Sequence, residues 1–151
     1  MPHFRLVVSL SLLGAAASLA CGTSRSDAHL IQSLTVSPTS ADAQNYPGGK
    51  IPFAATGHYN TAPMTVSPLK ANWNPYAEQI WNGSVTYVPA NGAISVDSSG
   101  VAQCAATASG TYAVLAWTIQ DPNLSGGCGS MNSFGEPGCN VVQGMAQLTC
   151  P

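Results

Sequence analysis

Residues 93–120, AISVDSSGVAQCAATASGTYAVLAWTIQ, constrain the fold more than any other part of this chain. Three short apolar runs are cut by two turn clusters, Asp97-Ser98-Ser99-Gly100 and Thr107-Ala108-Ser109-Gly110. Val, Ile, Tyr and Trp suit a pleated, half-buried surface, and turn clusters at about ten-residue spacing mark successive strands. The spacing predicts strands over 93–96, 101–106 and 111–120, neighbours in an antiparallel sandwich or barrel. In the last run Ala113, Leu115, Trp117 and Ile119 share one face, and Tyr112, Val114 and Ala116 share the other. A run that is apolar on both faces predicts a central strand, covered on both sides.

The remaining segments read the same way. Residues 30–36 place Leu30, Leu34 and Val36 on one parity, and Pro38 ends the run. Because proline cannot donate to a ladder, this is an edge-type strand. The polar stretch 39–49 closes in the turn Pro47-Gly48-Gly49. Residues 50–59 alternate, with Ile51, Phe53, Ala55 and Tyr59 on one face and Pro52, Thr56 and His58 on the other. After a loop over 60–68, residues 70–73 form a short strand anchored by Trp73. A further strand covers 84–88, and Asn91-Gly92 behind it is a hairpin cue. The closing strand, 141–150, has Val142, Ala146, Leu148 and Cys150 on one parity. No segment of useful length has helical periodicity, so the expected class is all-β.

The amino terminus gives an address. Residues 1–20 have the form of an export signal, with Arg5 as the only full charge ahead of an apolar run and then small residues. About fourteen apolar or small residues are too few to span a bilayer. Ser18-Leu19-Ala20-Cys21-Gly22 resembles a bacterial lipobox, in which the cysteine is lipidated and becomes the mature amino terminus. Ser18-Leu19-Ala20 also satisfies the small-x-small pattern of ordinary signal cleavage. Residues 21–29 read as a tether after either event, and 30–151 as one domain. The expected location is the cell envelope, anchored at the outer membrane or cell surface through Cys21, with secretion as the alternative.

Five cysteines support the lipid. Setting Cys21 aside leaves Cys104, Cys128, Cys139 and Cys150, an even set suited to two disulfides in an oxidising compartment. A four-thiolate zinc site is the rival, but the gaps are long and irregular and no C-x-x-C occurs. Four cysteines allow three pairings. The favoured one joins Cys128 to Cys139 within a single loop and Cys104 to Cys150 between predicted strands.

Charge narrows the partners. Lys and Arg number 4 and Asp and Glu 6, together 7% of the chain. A nucleic-acid partner needs a basic face to displace counterions, and Arg25, Lys50 and Lys70 do not supply one. They are equally too few for polybasic attachment to anionic lipid. The mature chain has two histidines, His29 and His58, and no G-x-S-x-G setting for a nucleophile, so no catalytic residues are assigned. Asp97 opens a turn and can bond the turn's own backbone. Asp121-Pro122-Asn123 offers oxygens, but calcium takes six or more ligands, so neither metal nor cofactor is expected. Tyr76, Trp81 and Tyr87 remain, clustered in a segment beyond what the fold requires. Exposed aromatics on a rigid scaffold suit stacking on sugar rings, whereas a buried Trp81 would simply cover one end of the core.

Several motifs occur together. Ser33-Leu34-Thr35-Val36-Ser37-Pro38, a Gly-Gly turn into a strand, and Ala71-Asn72-Trp73 resemble the start of a bacterial Ig-like domain of group 2. Ile94-Ser95-Val96-Asp97-Ser98-Ser99-Gly100-Val101-Ala102 and Gly110-Thr111-Tyr112-Ala113-Val114 resemble its second half. The resemblance covers residues 30–150. It implies an immunoglobulin-like β-sandwich of about seven to nine antiparallel strands. It also implies a surface module with a spacer, adhesion or accessory role and supplies no catalytic residues; the expected reading is therefore a non-enzymatic module whose partner is an unidentified surface protein or glycan. The alternative is a small carbohydrate-binding module built on Trp81. The aromatic segment 76–88 and the cysteine-bearing loop depart from the family's pattern.

Overall fold

The computed structural model describes residues 29–120 and 141–151. The signal, Cys21, Asp121, Asn123, Cys128 and Cys139 lie outside the described residues. The chain is all-β. Its strands are β1 (Ile31–Ser37), β2 (Ser40–Asp42), β3 (Lys50–Pro52), β4 (Ala54–Tyr59), β5 (Thr65–Val66), β6 (Asn72–Trp81), β7 (Ser84–Pro89), β8 (Ile94–Val96), β9 (Val101–Cys104), β10 (Gly110–Ile119) and β11 (Val141–Cys150). Among the described residues this is more than seven to nine, because several strands are only two or three residues long.

Three hydrogen-bonded sets result, ordered β1-β4-β5, β2-β11-β10-β6-β7 and β3-β9-β8. The pairings are antiparallel except that β2 runs parallel to β11. As the double-sided pattern predicts, β10 is central, flanked by β11 and β6. Its residues Ala113, Val114, Leu115 and Ala116 are all buried. Val114 and Ala116 enter the main core, while Ala113 and Leu115 pack with Tyr76 on the opposite face.

The alternating run 50–59 is interrupted at Phe53, whose N–H donates to the Gly100 carbonyl at 3.0 Å. Its first part pairs with β9 and its second with β1, so one stretch of chain serves two sets. Side chains from all three sets then meet in one core, including Val36, Ile51, Ile94, Val114 and Leu148. Fully burying an Ile, Val or Leu contributes about 1.5–3 kcal/mol, so these strands are held by their shared interior more than by local propensity. In β1 the pairing shifts between Ile31 and Ser33. This bulge brings Ile31 inside with Leu34 and Val36, in place of the expected Leu30.

The predicted turn Asp97–Gly100 joins β8 to β9 as a hairpin, closed by Gly100 N–H donating to the Asp97 carbonyl at 3.0 Å. Asn91-Gly92 differs from expectation. Both residues have positive φ, 49° and 84°, but β7 and β8 pair with different neighbours. The turn therefore passes the chain between sets. Cys104 and Cys150 form a disulfide that ties β9 to β11, as the favoured pairing requires.

Candidate functional site: the projecting β6–β7 ribbon

Sequence reading gave residues 70–73 only a short strand; the structure extends β6 to ten residues. The apex explains the difference. Asn82 and Gly83 have φ of 50° and 78°, the two positive values of a type I′ turn, whose twist matches that of paired strands. The pairs Ile80–Val85 and Trp81–Ser84 close directly beneath it. The same Asn-Gly rule applied to Asn91 would have found this hairpin.

β10 pairs with β6 only as far as Ala77, opposite Tyr112. Beyond that point, among the described residues, Glu78–Trp81 pair only with β7. The hairpin thus leaves the sheet as a two-stranded ribbon. Residues opposite one another in an antiparallel pair share a face. One face of the ribbon carries Ile80 with Val85 and Glu78 with Tyr87; the other carries Trp81 with Ser84 and Gln79 with Thr86. Ile80 is 78% exposed, Trp81 73% and Val85 54%.

The three candidate aromatics are not brought together. Tyr76 is buried with Ala113 and Leu115, and Tyr87 packs half-buried against them. Trp81 lies on the ribbon face opposite both tyrosines and is exposed, so it neither forms a row with them nor caps the core beside Trp73 and Trp117. Burial, followed by the charge of Glu78 across the ladder, pushes the Tyr87 phenol up. Trp117 Nε1 donates to Asn74 Oδ1 at 3.1 Å on the same sheet face as Tyr76.

The titratable candidates sit apart. His29, expected in the tether, stacks on Tyr59 with ring centroids 4.1 Å apart, and its Nδ1 lies 2.9 Å from Thr61 Oγ1. His58 Nε2 is 3.3 Å from Thr35 Oγ1. Asp97 Oδ1 accepts from the Ser99 hydroxyl at 2.6 Å, Ser99 N–H at 2.8 Å and Val101 N–H at 3.0 Å. These bonds, the Ser99 hydroxyl foremost, hold its carboxyl below the ordinary carboxylate range. Asp97 is therefore a turn-former, as its sequence position suggested.

An open groove of about 340 Å³ runs past Phe53, Leu69, Lys70, Trp73 and Ser99. The Ser99 hydroxyl there is already committed to Asp97. Among the described residues no three His, Cys, Asp or Glu side chains gather at one point, and no helix is long and apolar enough to cross a membrane. The feature that stands out chemically is the apolar ribbon tip. No protein-family model matches the chain, and no curated protein shows significant similarity to it.

Proposed function

We propose that this chain is an exported, immunoglobulin-like domain, tethered through a lipid on Cys21, which serves as a non-enzymatic interaction module of the cell envelope. The observation that carries the reading is the strand order. With β3 and β4 taken as one strand interrupted at Phe53, β1, β3/β4, β9 and β8 lie side by side, and they share a core with strands of the β11-β10-β6-β7 set. An immunoglobulin sandwich has this A-B-E-D layer opposed to a G-F-C layer with one added strand. The segments that resemble group 2 motifs fall on β1, β6, β8, β9 and β10. The Cys104–Cys150 disulfide links β9 to β11, which would be strands E and G of such a sandwich, and suits an oxidising compartment.

Tethering is tested by growing cells expressing the chain with radioactive palmitate. Label on the wild type, lost in Cys21→Ser along with membrane association, is the expected result. An unlabelled chain recovered from the cytosol would overturn the reading.

One observation favours carbohydrate as the partner. Exposed Trp81 shares its ribbon face with Gln79, Ser84 and Thr86, which could hydrogen-bond a sugar stacked on the indole. Glycan-array binding abolished in Trp81→Ala supports this second reading, and an array without a hit removes it.

A further inference from the structure

We infer that the β6–β7 ribbon docks shallowly on a phospholipid surface, with Ile80, Trp81 and Val85 entering the headgroup layer. This deepens the interaction-module reading and rests on it only in taking the ribbon as the working end; it does not require a lipid on Cys21. Three observations carry it.

First, the apolar side chains lie on both faces of the ribbon. Ile80 and Val85 point one way and Trp81 the other, each more than half exposed. A flat, rigid partner would cover one face and leave the other wet. A fluid layer wets both. A sugar stacked on Trp81 would likewise leave Ile80 and Val85 in water, and neither can hydrogen-bond it.

Second, no Asp, Glu, Lys or Arg occurs between Glu78 and Asp97. The tip therefore enters a zwitterionic headgroup layer without desolvating a charge, and it gains nothing from anionic lipid. Tryptophan, with an apolar ring and one N–H donor, suits the level of the headgroups.

Third, the backbone sets the depth. Among the described residues, β6 beyond Ala77 pairs only with β7, so the β6 edge from Glu78 to Trp81 turns its outward N–H and C=O groups to water or headgroups. The tip can enter the interface but not the hydrocarbon core.

The test uses the mature chain carrying Cys21→Ser, floated with vesicles of phosphatidylcholine alone. The expected result is co-flotation that falls about tenfold in Ile80→Ser/Trp81→Ser/Val85→Ser. The thermal unfolding midpoint of that variant should fall by no more than a few degrees and stay well above the assay temperature, so lost flotation reports the tip and not misfolding. A parent chain that stays in the soluble fraction, or a triple variant that floats equally well, would overturn the inference. So would a homodimer in sedimentation equilibrium that the triple variant dissociates, since the tip would then be covered by a second copy. Glycan-array binding lost in Trp81→Ser without any flotation of the parent would overturn it in favour of sugar. Failed flotation with intact palmitate labelling in cells would refute docking while leaving export and tethering standing.

Discussion

Gly144 on β11 lies so close to Leu34 on β1 that a Cβ at Gly144 would stand 2.5 Å from the Leu34 carbonyl oxygen and 2.8 Å from its Cδ2. Here two strands of different sets touch backbone to backbone. The nearest obstacle is main chain, which cannot rotate away. Gly144→Ala should therefore cost about 1–3 kcal/mol in urea unfolding, the range for an overpacked core. A variant within experimental error of wild type would show that β1 and β11 are further apart.

The Cys104–Cys150 disulfide spans 46 residues. Closing a loop of that length restricts the unfolded chain enough to stabilise the fold by about 4 kcal/mol in the chain-entropy model. Cys104→Ala/Cys150→Ala should show that loss in equilibrium unfolding. Wild type kept in reductant should approach the double variant, and a reductant-insensitive midpoint would contradict the bond.

Asp97 gives the fold a pH signature. Its carboxyl sits below the ordinary range because the ionised form accepts bonds from Ser99 and Val101. A depressed folded-state pKa contributes stability that is complete above the unfolded value, about 3.9, and lost as pH falls through the folded one. The gap between wild type and Asp97→Ala should be widest at neutral pH and narrow progressively on acidification below that range. Denaturant midpoints across a pH series check this, and a gap that widens in acid would contradict it.

Gly100 offers a second steric test. Its φ of +86° is left-handed, and a Cβ would lie 2.5 Å from the Phe53 carbonyl oxygen and 2.8 Å from the Trp73 ring. Strain and clash act together, so Gly100→Ala should lower the unfolding midpoint at least as far as Gly144→Ala. Calorimetry of the two variants side by side decides it.

Much of this fold is legible in the residues. Double-sided β10 is central, and Ala146, Leu148 and Cys150 of β11 are buried on the expected parity. Other features depend on tertiary context. Pro75 argues against a long strand by local rules, yet it sits within β6. Its carbonyl accepts from Ala90 N–H on the side where β7 has just ended, so the missing N–H costs no ladder bond there. The parity of Leu30 and Ile31 is reversed by a bulge that no residue type announces. Tyr76 and Trp81 fall on opposite parities of β6, and the register set at Asn82-Gly83 places Tyr87 opposite Glu78, on the face of Tyr76 and away from Trp81.

The ribbon tip stands outside the core that stabilises the domain, and urea unfolding of two variants is the direct test. Leu148 is fully buried, and Leu148→Ala should cost about 2–5 kcal/mol. Ile80→Ser/Trp81→Ser/Val85→Ser alters exposed positions, where each change is worth about 0.5 kcal/mol or less. A large loss is expected for the first and a small one for the second. A triple variant as damaged as Leu148→Ala would contradict it, because the tip would then belong to the core and could not serve as a free working surface.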